Sequence, residues 1–200
     1  MLAGLTLRSK VVDADFAQSN TISAETTVLP ALDTPRLLIR QRTLAELDAC
    51  IEMDRDPEVT RYIAGPWGDP VAHRRFVEFR ITRPYPPGLG YWTIREASAP
   101  QRFLGWVLLI PDHGVGPDVE IGWRLVRDAW GRGIGTEAAL QLLGYAFKTI
   151  RLPRVIADIA SANVASRRVA EKIGMRRVAR AGGGGRRYDR FQIECADLKI

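Results

Sequence analysis

The order of apolar and polar positions divides the chain near residue 33. Residues 1–33 form an arm: Gln18–Thr21 and Ser23–Thr27 are small and polar, without clear periodicity. Such a stretch stays flexible unless it docks on a partner or on its own domain. Pro30 and Pro35 punctuate its end. Regular patterning then begins. Arg36–Gln41 reads as a strand, and Thr43 with Glu46 three residues on reads as a capping box. Leu44, Leu47 and Ile51 follow at helical spacing. Asp56-Pro57 and Asp69-Pro70 each open a further helix, running to about Ile63 and Thr82, because proline suits the first helical turn. The cluster Pro84, Pro86, Pro87, Gly88 stops the second.

Three β-like runs come next, Tyr91–Glu96, Phe103–Ile110 and Val119–Val126, with turn-rich segments between them that suit an antiparallel meander. Behind Trp130-Gly131-Arg132-Gly133-Ile134-Gly135-Thr136, residues Ile134, Ala138, Leu142 and Ala146 line one helical face. Arg154–Ile159 is an apolar strand. Asn163 opens a helix that Gly174 closes. Met175–Arg180 and Arg187–Cys195 read as a final hairpin across the glycine-rich Gly182–Gly185. The sum is α+β with a mixed sheet, helices permitting a parallel crossover in its middle.

Composition narrows the class without naming a function. With 200 residues, 46% hydrophobic and 26% charged, the chain sits near the globular average and can bury a core without metal or disulfide staples. Collagen-like, coiled-coil and fully disordered classes are excluded. The apolar run Phe103–Ile110 is far short of the ~20 residues that span a bilayer, so no membrane partner is expected. Met1–Lys10 lacks a secretory pattern, and Asp13, Asp15 and Glu25 speak against a transit peptide, so a cytoplasmic location is expected. Cys50 and Cys195 suit a reducing compartment, with a single bridge between them left open. His73 and His113 lie far apart and no cysteine pair exists, so no metal is expected.

The net charge of +6 is concentrated late: residues 151–200 hold 12 Lys/Arg against 5 Asp/Glu. That half attracts an anion, either nucleic acid or a phosphorylated cofactor, unless it is only a solvated basic face. Nucleic acid is the weaker of the two, because the basic residues are not interleaved with aromatics on one face.

Glycines 131, 133 and 135 alternate between a strand and a helix. Lacking Cβ, they let an anion approach unpaired N–H groups at the helix start. The spacing is neither the Walker loop nor the dinucleotide fingerprint. By itself the turn fits an anion cradle and a tight packing turn equally well. The surrounding residues decide between them. The run Glu120–Ala138 (EIGWRLVRDAWGRGIGTEA) resembles the acetyl-CoA-binding core of the GNAT N-acetyltransferases, and is most similar to the branch holding the ribosomal-protein alanine acetyltransferases. A second block, Asn163–Met175, and the opening Thr34–Arg40 support it, so the resemblance covers about residues 33–198. Two departures stand out. Trp130 replaces the Gln or Arg of many members, and Ala170 stands where many place a catalytic tyrosine.

The resemblance implies a three-layer GNAT fold over residues 34–200, with a mostly antiparallel sheet of about seven strands flanked by helices. It implies direct transfer of acetyl from acetyl-CoA, as co-substrate and without metal, to a primary amine: a protein N-terminus or a small molecule. Pyrophosphate then falls to the backbone of Arg132, Gly133, Ile134, Gly135 and Thr136, with the Arg132 side chain able to add a contact. Leu125 and Val126 would pair with pantetheine through backbone groups, as an added strand does, and an N–H near Leu125 would face the thioester oxygen. Arg127 is a candidate for the terminal phosphate. Asn163 fits either the pantetheine arm or a helix N-cap, and Ser166 fits either proton donation to the thiolate or a first-turn serine. Glu120, alone in an apolar strand, is the candidate general base through water, its pKa raised by burial; the competing reading is an exposed strand face. Tyr62–Trp67, Tyr85–Gly90 and Tyr188 are expected to wall the acceptor side. Two other readings remain: an acyl-CoA-binding domain with little transfer, and a basic nucleic-acid module. A homodimer through the arm or an edge strand is compatible with the pattern.

Overall fold

The computed structural model describes residues 28–183 and 186–198. Most of the arm (1–27), the tip of the glycine-rich connection and the last two residues lie outside them. Among the described residues seven strands make one sheet: β1 (Leu37–Gln41), β2 (Gly90–Glu96), β3 (Ala99–Pro111), β4 (Val119–Leu125), β5 (Arg154–Ala160), β6 (Arg176–Gly183) and β7 (Arg186–Glu194). Their spatial order is β1-β2-β3-β4-β5-β7-β6. Every neighbouring pair is antiparallel except β4 and β5. The helices are α1 (Leu47–Arg55), α2 (Pro57–Thr60), α3 (Pro70–Thr82), α4 (Ile134–Lys148) and α5 (Val164–Lys172). α4 is the crossover between the parallel strands, as a parallel pair requires.

The period-two alternation of the strands sorts side chains into two cores and hence three layers. Val107, Leu109, Ile121 and Trp123 face α4, packing with Leu142, Leu143 and Ala146. Trp106, Leu108 and Ile110 face the other way, onto Leu47, Cys50, Met53 and Val77 of α1 and α3. The segment before β1 joins the first core: Leu29 and Leu32 are buried, Leu32 N–H donates to the Ile39 carbonyl and the Trp92 indole N–H to the Pro30 carbonyl, both at 2.9 Å.

The capping box forms: the Thr43 side chain accepts from Ala45 N–H, and Glu46 accepts from Thr43 N–H at 2.8 Å. Differences from the sequence pattern have local causes. α2 is a single turn because Gly65-Pro66 break the chain soon after it. β3 runs beyond the expected Phe103–Ile110 at both ends: register shifts at Ile94/Arg95/Glu96 absorb a bulge and let pairing with β2 continue back to Ala99, and Pro111 pairs with Val119 of β4. The two cysteines are free, Cys50 buried and Cys195 exposed, so the bridge left open by the sequence is not made. No described helix is long and apolar enough to cross a membrane.

Candidate active site

The parallel strands β4 and β5 meet at one register pair, Glu120 with Ile156, and diverge beyond it. Leu125 stands opposite Gly105 of β3, and Val126 N–H donates to the Leu104 carbonyl at 3.1 Å. A bond in that position brackets a non-hydrogen-bonded pair, so the N–H and C=O of Leu125 turn away from β3. The same alternation turns Trp123, opposite Val107, in that direction. Where β5 has diverged they face a crevice of about 560 Å³. The Leu125 carbonyl accepts the Trp130 indole N–H at 3.0 Å, which fixes Trp130 at the mouth. Gly105 makes this close approach possible: its φ is +136°, and a Cβ there would lie 2.1 Å from the Arg124 carbonyl oxygen.

The start of α4 closes one end. Gly133 takes the left-handed conformation as N-cap (φ +78°) and offers no side-chain cap. The first helical bond runs from Glu137 N–H to the Gly133 carbonyl, leaving the N–H groups of Ile134, Gly135 and Thr136 without intrahelical partners. They carry the positive end of a 15-residue helix. A Cβ on Gly135 would touch Leu125 Cδ1 at 3.5 Å and Val169 Cγ2 at 3.8 Å, so glycine keeps the crevice open there. The bare N-terminus suits a phosphate group, and the divergent strand edge suits an amide-bearing chain. On the far wall Asn163 caps α5, its Oδ1 accepting from Ser166 N–H at 3.1 Å.

The crevice therefore brings together Leu125, Gly133, Ile134, Gly135, Thr136, Asn163 and Ser166. It does not bring Val126: its N–H serves Leu104 and its carbonyl accepts from Ala129 N–H, so both backbone groups are used within the protein. Arg132 turns its guanidinium to Glu96 at 2.5 Å, and the exposed Arg127 lies 3.9 Å from Asp56. Tyr62 lines the crevice, whereas Trp67 packs edge-on against His73 and Phe76, and Tyr85 donates to the Arg80 carbonyl.

Glu120 lies at the opposite end of β4, 1% exposed, on the α1–α3 face of the sheet and not among the crevice-lining residues. Neither carboxylate oxygen has a hydrogen-bond partner among the described residues. Burial, then the negative charges of Asp158 and Asp112, push its carboxyl well above the usual range against the pull of Arg80 and Arg190. Asp112, His113 and Asp158 bring potential ligand atoms within 4.8 Å of one another, but the Arg190 guanidinium already bonds both carboxylates.

One group escaped the sequence reading. Arg124, 5% exposed, pairs with Asp54 of α1 at 2.5 Å, and Asp54 faces His73 of α3 at 3.3 Å. Burial raises the Asp54 carboxyl, but Arg124 and His73 together hold it below the usual range. The available signal was Asp54 itself, an acid on the same stripe of α1 as Leu47 and Cys50.

Comparison with known proteins agrees with this geometry. Residues 36–176 match the family described as "Acetyltransferase (GNAT) domain". An uncharacterized protein of Bacillus subtilis (strain 168) is 36% identical over 60% of this chain and 69% of its own length. The FsC-acetyl coenzyme A-N(2)-transacetylase of Aspergillus fumigatus is 28% identical over 74% of this chain and 66% of its own. A GNAT-family acetyltransferase from Bacillus anthracis superposes with TM-score 0.69 at 26% identity, covering 84% of this chain and 99% of that one. The spermidine N-acetyltransferase of Vibrio cholerae, solved with CoA and spermine, shares the fold with TM-score 0.67 at 15% identity, over 82% and 98% of the chains. The chain belongs to the GNAT acetyltransferase family.

Proposed function

We propose that this protein transfers the acetyl group of acetyl-CoA to a primary amine, a protein N-terminus or a small molecule, by direct attack with both substrates bound. The observation that carries the reading is the crevice itself: a strand edge whose Trp123 and Leu125 backbone groups turn away from β3, leading to an uncapped helix start. Acetyl-CoA supplies an activated acyl thioester. The N–H groups of Ile134, Gly135 and Thr136 hold its pyrophosphate, and the backbone of Trp123 and Leu125 pairs with its arm and faces the thioester oxygen. Asn163 and Ser166 border the same arm. Ser166 is the proton donor for the departing thiolate, since Ala170 supplies none. Glu120 takes the amine proton over a relay of waters, because it stands at the opposite end of β4 from Leu125, and burial raises its pKa and so its basicity. The Aspergillus and Vibrio proteins are by name both N-acetyl-transferring enzymes.

The test is release of free CoA thiol from acetyl-CoA in the presence of alaninamide, an alanine-starting peptide or spermidine. Amine-dependent release, with the acetylated amine found by mass spectrometry, is expected. Acetyl-CoA binding with no amine-dependent release from any acceptor would leave an acyl-CoA-binding domain instead.

A further inference from the structure

Behind the crevice, under the α1–α3 face of the sheet, lies a small cavity of about 10 Å³, room for the centre of a single water-sized sphere. Its wall is drawn from both longer helices of that layer and from the sheet: Arg42 just after β1, Cys50 and Asp54 of α1, Phe76, Val77 and Arg80 of α3, Tyr91, Trp106 and Arg124. Three guanidiniums stand there, all buried, against the one carboxylate of Asp54. Cys50 is no second counter-ion, because burial pushes its thiol up to about 11 and keeps it neutral.

The donors are unevenly used. Arg124 Nη1 goes to Asp54, Arg42 Nη2 to the Arg80 carbonyl at 3.3 Å, and Arg80 Nη1 to the Tyr91 hydroxyl at 2.9 Å. Arg42 Nε, Arg124 Nε and Arg124 Nη2 have no partner among the described residues. The aromatic rings cover guanidinium faces, with Arg42 3.8 Å over Tyr91 and Arg124 4.9 Å over Trp106, but rings cannot accept the in-plane N–H bonds. Buried charges without partners are costly enough that proteins pair them. A water in the cavity would accept N–H bonds yet leave the excess positive charge. Sulfate, phosphate and carboxylates are too large for the space.

We propose that this cavity binds a single monoatomic anion of the halide class, held by the free N–H groups of Arg42 and Arg124. The ion joins β1, α1, α3 and β4, and so fixes the residue that precedes Leu125 at the crevice.

The test uses the full chain and bromide as the probe. Crystals grown in sodium bromide should give an anomalous peak between Arg42 and Arg124. In solution, replacing gluconate by chloride at constant ionic strength should raise the melting temperature saturably, by roughly 5–10 °C at a hundredfold excess over Kd. Arg42→Met should abolish that dependence. A water without anomalous signal in the cavity, a flat melting curve, or a chloride effect that survives in Arg42→Met would each overturn the proposal. If Arg42→Met does not fold, the bromide map of the wild-type protein decides alone.

Discussion

At the scale of single residues, Glu120 carries the sharpest consequence. Its folded-state pKa lies above the unfolded value, so the folded protein binds the extra proton between the two. Stability therefore falls as pH rises from about 4.5 through the raised pKa. Glu120→Gln cannot ionise, so its stability should gain on the wild type steadily across that window; melting temperatures of both proteins at a series of pH values will show it, and parallel curves would contradict the burial argument. The same substitution should lower turnover about 10²- to 10⁴-fold if Glu120 is the base, and turnover of the wild type should climb with pH through the same raised pKa. The cysteines offer a separate check. Cys195 is exposed, while Cys50 is 1% exposed with its thiol pushed up to about 11. A thiol reagent should label one cysteine quickly and the second only on unfolding; two fast reactions would contradict the packing of α1 on the sheet. Residues whose job is local were legible in sequence: the Thr43–Glu46 box and the Asn163 cap need only their own neighbours. Val126 and Arg124 were not, because strand register decides which amide is free and which side chain is interior. The neighbours that shift Glu120 come from distant strands and loops.

At the scale of elements, the site is made by the misfit between β4 and β5. Gly105 holds β3 tight behind the end of β4, in a conformation other residues avoid. Gly105→Ala should cost about 3 kcal/mol, the upper end for overpacking, because the obstacle is backbone. Chemical denaturation will measure it, and a neutral result would mean the bulge can shift. Gly135 plays the opposite part. It occupies the first turn of α4 without strain, and a valine there would project into the crevice beside Leu125. Gly135→Val should fold and lose acetyl-CoA. The order and type of elements followed from periodicity and from Pro and Gly punctuation. The single-pair contact of β4 with β5 did not, since divergence of two strands leaves no mark in either sequence.

At the scale of the whole molecule, the sheet separates two kinds of interior. The α4 side is mostly apolar, a core built on Leu142, Leu143 and Ala146, with buried Asp189 at its β7 end. The α1–α3 side holds Arg42, Arg80, Arg124, Asp54 and His73 among its aromatics. The late excess of basic residues resolves partly into internal pairs: buried Asp189 lies within 4 Å of Arg167, Arg177 and Arg180. Charge counting therefore overstated what that half offers to an anionic partner.

Acetyl-CoA in the β4–β5 crevice is the central proposal. Calorimetric titration of the wild type and Gly135→Val with acetyl-CoA, with NAD as control, tests it most directly. Binding of acetyl-CoA alone to the wild type, lost in a Gly135→Val protein of near-normal melting temperature, is the predicted result. No binding to the wild type, or equal binding to both proteins, would contradict it.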